Sequence, residues 1–558
     1  MSTSAPQEVT VRVDASQWRG MLPHAWTYIG YDECNYTTSP EGEALLNRIG
    51  AFQEQPYYVR CHHLFCTGNR HGFYKWGSTN VYLEDPEGEP IYDWTEIDLI
   101  LDTIRAAGLK PFVELGFMPR DLADPRFYDA AGDGGRLEQY QRSGWASPPR
   151  VYSRWYDLVR ALVEHLVERH GAAEVASWYF ELWNEPDIRY YWKGTLQEYC
   201  TLYDYTAAAV KDALPEGRVG GPGTTHPMPG NNAAQWLDGF CAHCTSGTNA
   251  VSGEVGTPLD FVSFHLKGGG YRADPLNRPQ APPSVRRMLQ GLLTGYEILS
   301  RYPGLTALEC VISECDPDGW AAGGAWDNAC LNFRNTEYYA SFVAAAFTRL
   351  LHLAAQRAWD VKLLTWAFVF VGERCFEGTR ALSTQGIDKA ILNLLRMGAL
   401  LGHRQLALES SGERDPLAEE GLWDGGDGPD VWGLAAQSGD GALQVLLYSH
   451  HDDWERPERS TVTLELEGLP PEAAAARVEH YRIDGQHSNA WAEWLRQGRP
   501  RYPAGGQREA ILSRAGLELL EPPRELPLEE GALALKLEMP AHSVSLLRIV
   551  PQRAPAEG

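Results

Sequence analysis

The fold is decided by the stretch Trp178-Tyr179-Phe180-Glu181-Leu182-Trp183-Asn184-Glu185-Pro186-Asp187. Its first half is apolar and aromatic, which is typical of a buried strand. Proline cannot donate a hydrogen bond to a sheet, so this strand must end at Asn184-Glu185-Pro186. An amide and a carboxylate therefore lie at the C-terminal end of a strand, where α/β barrels carry their reacting groups. The alternative is an ordinary polar turn, since turns also favour Asn and Pro.

A second strand ends in a carboxylate further along the chain. Val311-Ile312-Ser313-Glu314 follows the apolar residues Ala307, Leu308 and Cys310. A glycosidase needs two carboxyl groups that flank the scissile bond, and two strand ends can supply them. The second glutamate therefore favours a catalytic site over a simple turn at Glu185.

Strand-like and helix-like runs alternate up to about residue 405, which predicts an α/β fold. The strand-like runs are 26–30, 57–63, 110–116, 177–183, 217–221, 259–265, 309–314 and 361–369. The helix-like runs are 41–53, 94–107, 152–170, 195–213, 232–241, 281–301, 333–357 and 388–401. Eight such pairs make a closed (β/α)8 TIM barrel, with Glu185 on its fourth strand and Glu314 on its seventh.

Beyond residue 410 the chain changes to short strand-like runs separated by Gly, Pro and charged turns, which predicts an accessory antiparallel β-sandwich. The runs are Val445–Tyr448, Thr461–Leu466, Val478–Tyr481, Leu533–Leu537 and Val544–Val550. Gln7–Val13 alternates apolar and polar residues and is expected to add a strand to the sandwich. The predicted domains are residues 1–20 with the sandwich, 21–408 as the catalytic barrel and 409–558 as the sandwich itself. The Gly- and acid-rich stretch 415–430 is predicted to be a solvated connection.

Composition excludes several classes of protein. The 558 residues carry 49 basic and 74 acidic side chains, a net charge of −25, which argues against nucleic acid or an anionic membrane as partner. The first residues contain neither the basic segment nor the apolar segment that a signal peptide has, so a cytoplasmic location is expected. No phosphate loop or metal-type cluster is visible, so no cofactor and no metal are expected. Cys241-Ala242-His243-Cys244 is a single CxxC without a second pair, and the ten cysteines are expected to be reduced and buried.

Five motifs, in order and spacing, resemble glycoside hydrolase family 39, a family of retaining (β/α)8-barrel enzymes that contains β-xylosidases and α-L-iduronidases. They are Tyr58-Val59-Arg60-Cys61-His62, Tyr92-Asp93-Trp94, Pro111-Phe112-Val113-Glu114-Leu115-Gly116-Phe117-Met118-Pro119, Asn184-Glu185-Pro186-Asp187 and Asp260-Phe261-Val262-Ser263-Phe264-His265.

The resemblance implies that Glu185 is the acid/base and Glu314 the nucleophile. Asn184 is expected to bind the sugar 2-hydroxyl, with ordinary turn capping as its alternative role. His62 and His265 are expected to contact the sugar from the second and sixth strands, although a strand histidine is more often a satisfied core residue. Trp366 is a candidate apolar platform for the ring. Glu377 is a candidate for outer hydroxyls or a surface-loop carboxylate.

The residue Lys267 leaves more than one identity possible for the sugar. The His265-Leu266-Lys267-Gly268 pattern resembles the iduronidase branch, where this lysine faces a uronic carboxylate. Its alternative is a lysine that points to solvent or pairs with a nearby acid. The expected activity is an exo-acting retaining β-xylosidase that releases xylose from short oligosaccharides. A hydrolase of uronic-acid or arabinose glycosides and a catalytically dead sugar-binding barrel are the alternatives; the oligomeric state stays open.

Overall fold

The structure is a computed structural model that describes residues 6–52, 55–68, 77–127, 144–269, 282–319, 324–325, 329–417 and 428–553. Its strands are β1 Gln7–Met21, β2 Tyr28–Tyr31, β3 Tyr58–Cys61, β4 Tyr82–Glu84, β5 Pro90–Tyr92, β6 Lys110–Leu115, β7 Tyr179–Leu182, β8 Arg218–Thr224, β9 Phe261–Lys267, β10 Glu309–Asp316, β11 Val361–Trp366, β12 Ser383–Thr384, β13 Ile387–Asp388, β14 Arg404–Ser410, β15 Asp430–Gln437, β16 Leu443–His450, β17 Arg459–Glu467, β18 Ala473–Ile483, β19 Glu518–Leu519, β20 Arg524–Pro527, β21 Leu533–Pro540 and β22 Ser543–Arg553.

Its α-helices are α1 Pro40–Gly50, α2 Thr95–Ala106, α3 Tyr152–His170, α4 Ala172–Val175, α5 Leu196–Ala213, α6 Asn232–Ser246, α7 Val285–Leu299, α8 Glu337–Arg357, α9 Ala390–Ala399, α10 Ala490–Arg496 and α11 Gly505–Leu512. Among these described helices, none is long and apolar enough to cross a membrane.

Eight parallel strands close into a barrel in the order β2-β3-β6-β7-β8-β9-β10-β11, and β11 pairs with β2. Each predicted barrel strand overlaps one of these, so the (β/α)8 prediction is confirmed. Side chains two residues apart in a strand lie on the same face. Tyr58 and Arg60 therefore both point inward from β3, with His62 following at the strand's end.

The lower part of the barrel interior is apolar. Its buried side chains are Tyr28, Phe112, Tyr179, Phe261, Val311, Leu364 and Trp366. Two residues further along three of these strands the interior becomes charged, and the side chains there, Arg60, Glu114 and Glu181, are fully buried. The packed apolar layer thus forms a rigid floor below the charged groups, at the barrel end where catalytic groups are expected.

The second domain is one sheet of ten strands in the order β19-β18-β22-β16-β15-β14-β1-β17-β21, with β20 paired to β18. Its pairs are antiparallel except for the parallel pair β1 and β17. Side chains from distant parts of the sheet share one core, for example Val9 and Val462 with Val445 and Leu547. The sheet therefore curls and packs on itself, which confirms the predicted sandwich, including its N-terminal strand.

Helix α8 joins the two domains by packing on β15, β16 and β22. Its Arg349 donates to both oxygens of Asp430 at 2.8 and 2.9 Å, and both side chains are buried. The domain limits 1–20, 21–408 and 409–558 stay a prediction, although β1 ends at Met21 and β14 begins at Arg404. Of the predicted connection 415–430, residues 418–427 lie outside the described residues.

Candidate active site

The end of β7 turns sharply, as the sequence requires before Pro186. Trp183 and Glu185 both have left-handed backbone, with φ of 69° and 44°. Such conformations cost of the order of 1–3 kcal/mol each for non-glycine residues and persist only where the surroundings fix them. The Glu185 N–H donates to the Gly223 carbonyl of β8 at 2.8 Å, which fixes this turn. The turn places Asn184 and Glu185 at the mouth of the barrel.

Glu185 and Glu314 face each other across this mouth. An oxygen of each carboxyl and a ring nitrogen of His265 all lie within 4.8 Å of one another. His265 Nδ1 lies 2.9 Å from Glu185 Oε1 and 3.8 Å from Glu314 Oε2. The pairing of β10 with β9 sets Glu314 opposite His265, with a register shift just before Glu314. Such irregularities redirect a side chain and recur beside active sites.

Glu314 is surrounded by positive charge. Lys267 Nζ lies 2.5 Å from its Oε2, while His62 Nε2 and Arg60 Nη1 lie 3.4 and 3.6 Å from its Oε1. Burial alone would raise the pKa of Glu314, but Lys267 and its other positive neighbours hold that pKa well below its usual range. Glu314 is therefore ionised at neutral pH.

Glu185 has the opposite protonation. Burial and, after it, the negative charge of Glu314 raise the pKa of Glu185 to about 7 against the opposing charge of Lys267. Burial lowers the pKa of its partner His265 to about 3, so that ring is neutral and shares one hydrogen with Glu185. One carboxyl is thus a proton donor and the other an anion, the pattern that acid–base and nucleophilic roles require.

Arg60 organises the floor of the pocket and was not predicted as a site residue. Its guanidinium donates to Glu181 at 2.6 Å, to Asn184 Oδ1 at 3.0 Å, and lies 2.8 Å from Glu114. Glu114 also binds His62 Nδ1 at 2.6 Å. Burial alone would lower the pKa of His62, but Glu114 reverses this and raises it to about 9. The inward alternation of Tyr58, Arg60 and His62 was the sequence signal for Arg60.

Asn184 is held in one orientation by this network. Its Oδ1 accepts from Arg60, so its Nδ2 must point the other way. Within the described residues, Nδ2 has no hydrogen-bond partner, although Asn184 is 1% exposed. A buried donor without a partner is costly, so this amide is a candidate donor to a bound molecule.

Lys267 lies in a second charged network on the other side of Glu314. Its ammonium contacts Asp316 Oδ2 at 2.8 Å as well as Glu314, and Arg380 Nη2 donates to the same Asp316 oxygen at 2.8 Å. Arg334 lies 3.4 Å from Asp316 on its other oxygen. Lys267 is therefore paired with acids rather than exposed, yet it remains beside the Glu185–Glu314 pair. Arg380, on the loop after β11, had no recognisable sequence signal.

Trp366 and Glu377 lie in different surroundings. Trp366 is 1% exposed at the end of β11, beneath His62 at 4.6 Å between ring centroids and Arg60 at 5.2 Å. It therefore supports the pocket floor from below. Glu377 accepts from the Arg374 backbone N–H at 3.2 Å and from its guanidinium Nε at 2.9 Å. Its carboxylate is thus occupied within its own turn, and the contacts of the described residues do not join it to the catalytic pair.

The group formed by Glu185, His265 and Glu314 has spacing that could hold a metal ion. Lys267 at 2.5 Å already neutralises Glu314, and a second cation there would be repelled. Nine of the ten cysteines, all except Cys330, are buried, and none of the ten forms a disulfide bond, including Cys241 and Cys244 of the CxxC.

Comparison with known proteins identifies the family. The family model described as glycosyl hydrolases family 39 matches residues 9–519. A β-xylosidase of Geobacillus stearothermophilus is 27% identical over 486 residues, 84% of this chain and 83% of the relative. The human α-L-iduronidase is 28% identical over 495 residues, 84% of this chain and 68% of the relative.

Solved structures agree with the fold. A bacterial orthologue of human α-L-iduronidase superposes with a TM-score of 0.76 at 23% identity, over 98% of this chain and 84% of that chain. A monomeric β-xylosidase from Caulobacter crescentus CB15 superposes with a TM-score of 0.75 at 21% identity, over 97% of this chain and 99% of that chain. These two likenesses concern the fold alone, whereas the family model covers most of the sequence. The chain belongs to glycosyl hydrolases family 39.

Proposed function

We propose that this glycosidase is a retaining, exo-acting enzyme whose primary substrate is a β-xyloside at the non-reducing end of a short oligosaccharide. The observation that carries the proposal is the spacing of the two carboxyls, whose oxygens lie within 4.8 Å. Retaining enzymes hold their carboxyl groups about 5–5.5 Å apart, whereas inverting enzymes leave about 6.5–9.5 Å for a water. The opposite protonation of Glu185 and Glu314 gives each the state that its role needs.

The reaction follows from these two states. A Glu314 oxygen attacks the anomeric carbon while the protonated Glu185 gives its hydrogen to the departing glycosidic oxygen, so the aglycone leaves as an alcohol. The sugar is then held as an ester of Glu314, and the negative charge that raised the pKa of Glu185 is gone. Glu185, now ionised, takes a proton from water, whose oxygen attacks the same carbon and releases Glu314. Two inversions give overall retention.

Asn184 contributes to the transition state. Its oxygen is fixed by Arg60, which leaves its Nδ2–H groups to donate to the sugar 2-hydroxyl. Hydrogen bonds to that hydroxyl strengthen as positive charge develops on the ring, so they lower the barrier rather than only tightening substrate binding. A catalytically dead sugar-binding barrel would have no need for two carboxyls with opposite protonation.

The groups that the pocket places near carbon 5 of the sugar decide which glycone the enzyme accepts. β-D-Xylosides, β-D-glucuronides and α-L-iduronides share the same configuration from C1 to C4 and differ only in the substituent at C5. One catalytic pair can therefore serve all three. A uronic acid is the second candidate because Lys267 and Arg380 bring two cations to one side of the pocket. Xylose is preferred because Glu314 and Asp316 already accept from Lys267, and Asp316 from Arg380.

The test has two parts. Hydrolysis of p-nitrophenyl β-D-xyloside, β-D-glucuronide and α-L-arabinopyranoside and of a 4-methylumbelliferyl α-L-iduronide identifies the glycone. Proton NMR of the first product to appear decides retention, because an inverted anomer would contradict the double displacement. A 2-deoxy-2-fluoro glycoside of the preferred sugar should then add one glycosyl group to the peptide that contains Glu314. Label on another carboxylate would exclude Glu314 as the nucleophile.

A further inference from the structure

Asp32 directly follows β2, the first barrel strand, and lies at the same end of the barrel as the catalytic pair. Its side chain is 9% exposed. Asp32 Oδ1 lies 3.7 Å from His62 Nε2, a charged contact. Among the described residues, no donor makes a hydrogen bond to the Asp32 carboxylate. A nearly buried carboxylate normally accepts several hydrogen bonds, so the described residues leave the acceptor capacity of Asp32 unused.

The position of Asp32 relative to the nucleophile is bounded by His62. The same His62 nitrogen lies 3.7 Å from an Asp32 oxygen and 3.4 Å from Glu314 Oε1, so these two carboxylate oxygens are at most 7.1 Å apart. Within this upper limit, one sugar ring whose anomeric carbon lies at Glu314 is also within reach of Asp32.

The order of groups around the barrel supports this placement. Asn184 on the fourth strand faces the 2-hydroxyl side, and Glu185 beside it marks where the aglycone leaves. Asp32 follows β2, which lies between β3 and β11 and is three strands away from β7 around the closed barrel. A ring that presents C2 to Asn184 consequently presents its C3–C4 edge to Asp32.

Arg380 provides a matching donor. Burial raises the pKa of Asp32 and the positive charge of Arg380 opposes this rise, yet no ion pair within 4.0 Å joins these two described residues. Within the described residues, the Arg380 Nε has no hydrogen-bond partner although it is buried. A hydroxyl group both donates and accepts, so it can satisfy a carboxylate and a guanidinium that face it from two sides.

We infer that Asp32 accepts a hydrogen bond from a hydroxyl on the C3–C4 edge of the glycone and is a specificity-determining residue for exo cleavage. The inference rests on the proposed glycosidase function and deepens it. In a 1,4-linked chain, the C4 oxygen of an internal sugar carries the next residue and has no hydrogen to donate. A carboxylate that requires a free hydroxyl there selects the terminal sugar.

The test compares p-nitrophenyl β-D-xyloside with its 3-deoxy and 4-deoxy analogues, using wild type, Asp32→Ala and Asp32→Asn. A hydrogen bond to a charged group is worth about 1.5–3 kcal/mol, so wild type should lose about 10- to 150-fold in kcat/KM on the 4-deoxy analogue. Asp32→Ala should lose a similar factor on the xyloside and none further on the 4-deoxy analogue. A loss on the 3-deoxy analogue alone would refute the role in exo cleavage. Asp32→Asn keeps the shape of the side chain and provides the same comparison if the alanine variant is unstable.

Asp360→Asn is the matched control, because Asp360 is an exposed carboxylate that binds Lys362 at the other end of the barrel. It should preserve the preference of wild type for the hydroxylated sugar. Asp32 variants that keep this preference for both hydroxyls would overturn the inference, since a carboxylate that only positions His62 lowers all rates equally. Failure of wild type to hydrolyse any of the glycones would instead remove the proposed function, and the inference with it.

Discussion

Replacing Lys267 by methionine should move both limbs of the pH profile of kcat/KM to higher pH. Glu314 must be ionised, so activity is lost as pH falls through its pKa. Glu185 must be protonated, so activity is lost as pH rises through its pKa, which is about 7. The Lys267 ammonium lowers the pKa of both carboxyls, and removing its positive charge raises both.

The size of the effect follows from the contact between Lys267 and Glu314. Their N–O distance of 2.5 Å puts the centres of charge within about 4 Å, where opposite unit charges interact by about 4 kcal/mol at an effective dielectric of about 20. One pH unit corresponds to about 1.4 kcal/mol. The full 4 kcal/mol is not expected, because Asp316 also binds the ammonium and because water partly compensates for its loss in the variant. We therefore expect the acidic limb to move to higher pH by at least about one unit. The basic limb should move less, because Glu185 is farther from Lys267.

The assay is kcat/KM for p-nitrophenyl β-D-xyloside over a broad pH range. A neutral glycone is used so that loss of substrate-carboxylate binding does not contribute. Lys362→Met is the matched control, since Lys362 pairs with Asp360 and Glu309 at the opposite end of the barrel and should leave both limbs in place. Lys267→Arg should retain most of the wild-type profile. A Lys267→Met enzyme that is folded but slower, with both limbs unmoved, would refute the electrostatic role.

Three further results are expected. Glu185→Gln should slow the hydrolysis of xylobiose by about 10²–10⁴-fold, but it should slow the first step with a dinitrophenyl xyloside far less. The basic limb of the pH profile should disappear in this variant. Equal losses on both substrates would contradict the acid role. Asn184→Ala should lower kcat more for the xyloside than for its 2-deoxy analogue, and equal losses would point to a structural role. Arg349→Met should lower the free energy of unfolding by about 3–5 kcal/mol, seen as a lower Tm, because it leaves the buried Asp430 without its ion pair. Arg357→Met, at an exposed position on the same helix, is the control and should leave the Tm unchanged. Equal Tm values for the two variants would refute the contribution of the Arg349–Asp430 pair.

The fold was predictable because its signals are local and repeated. Each barrel strand is an apolar run that ends at a turn, and the eightfold alternation with helices leaves few topologies open. Glu185 and Glu314 could be found because each directly follows such a run. The sandwich was recognised in the same way, from short runs and turn residues.

Arg60, Asp32 and Arg380 were missed for physical reasons. An arginine inside an apolar strand is anomalous by itself, but its partners Glu114 and Glu181 come from two other strands, so the ion pairs exist only after the barrel closes. Asp32 follows a run of four strand residues and looks like a turn carboxylate. Arg380 lies in a long loop without periodicity. The partners of these side chains are distant in sequence, so a local pattern such as the alternation at Arg60 does not reveal what the side chain binds.

The difference in protonation between Glu185 and Glu314, the two proposed catalytic carboxyls, arises from which strands flank each one. Glu314 on β10 is bordered by Lys267 of β9 and faces Arg60 and His62 of β3, so it is held as an anion. Glu185 on β7 has the neutral ring of His265 as its hydrogen-bond partner, so burial and the charge of Glu314 keep it protonated. Because Glu314 itself is one cause of this protonation, the esterification of Glu314 in the proposed mechanism would lower the pKa of Glu185 without any movement of the protein. The same side chain can therefore serve first as an acid and then as a base in one rigid site.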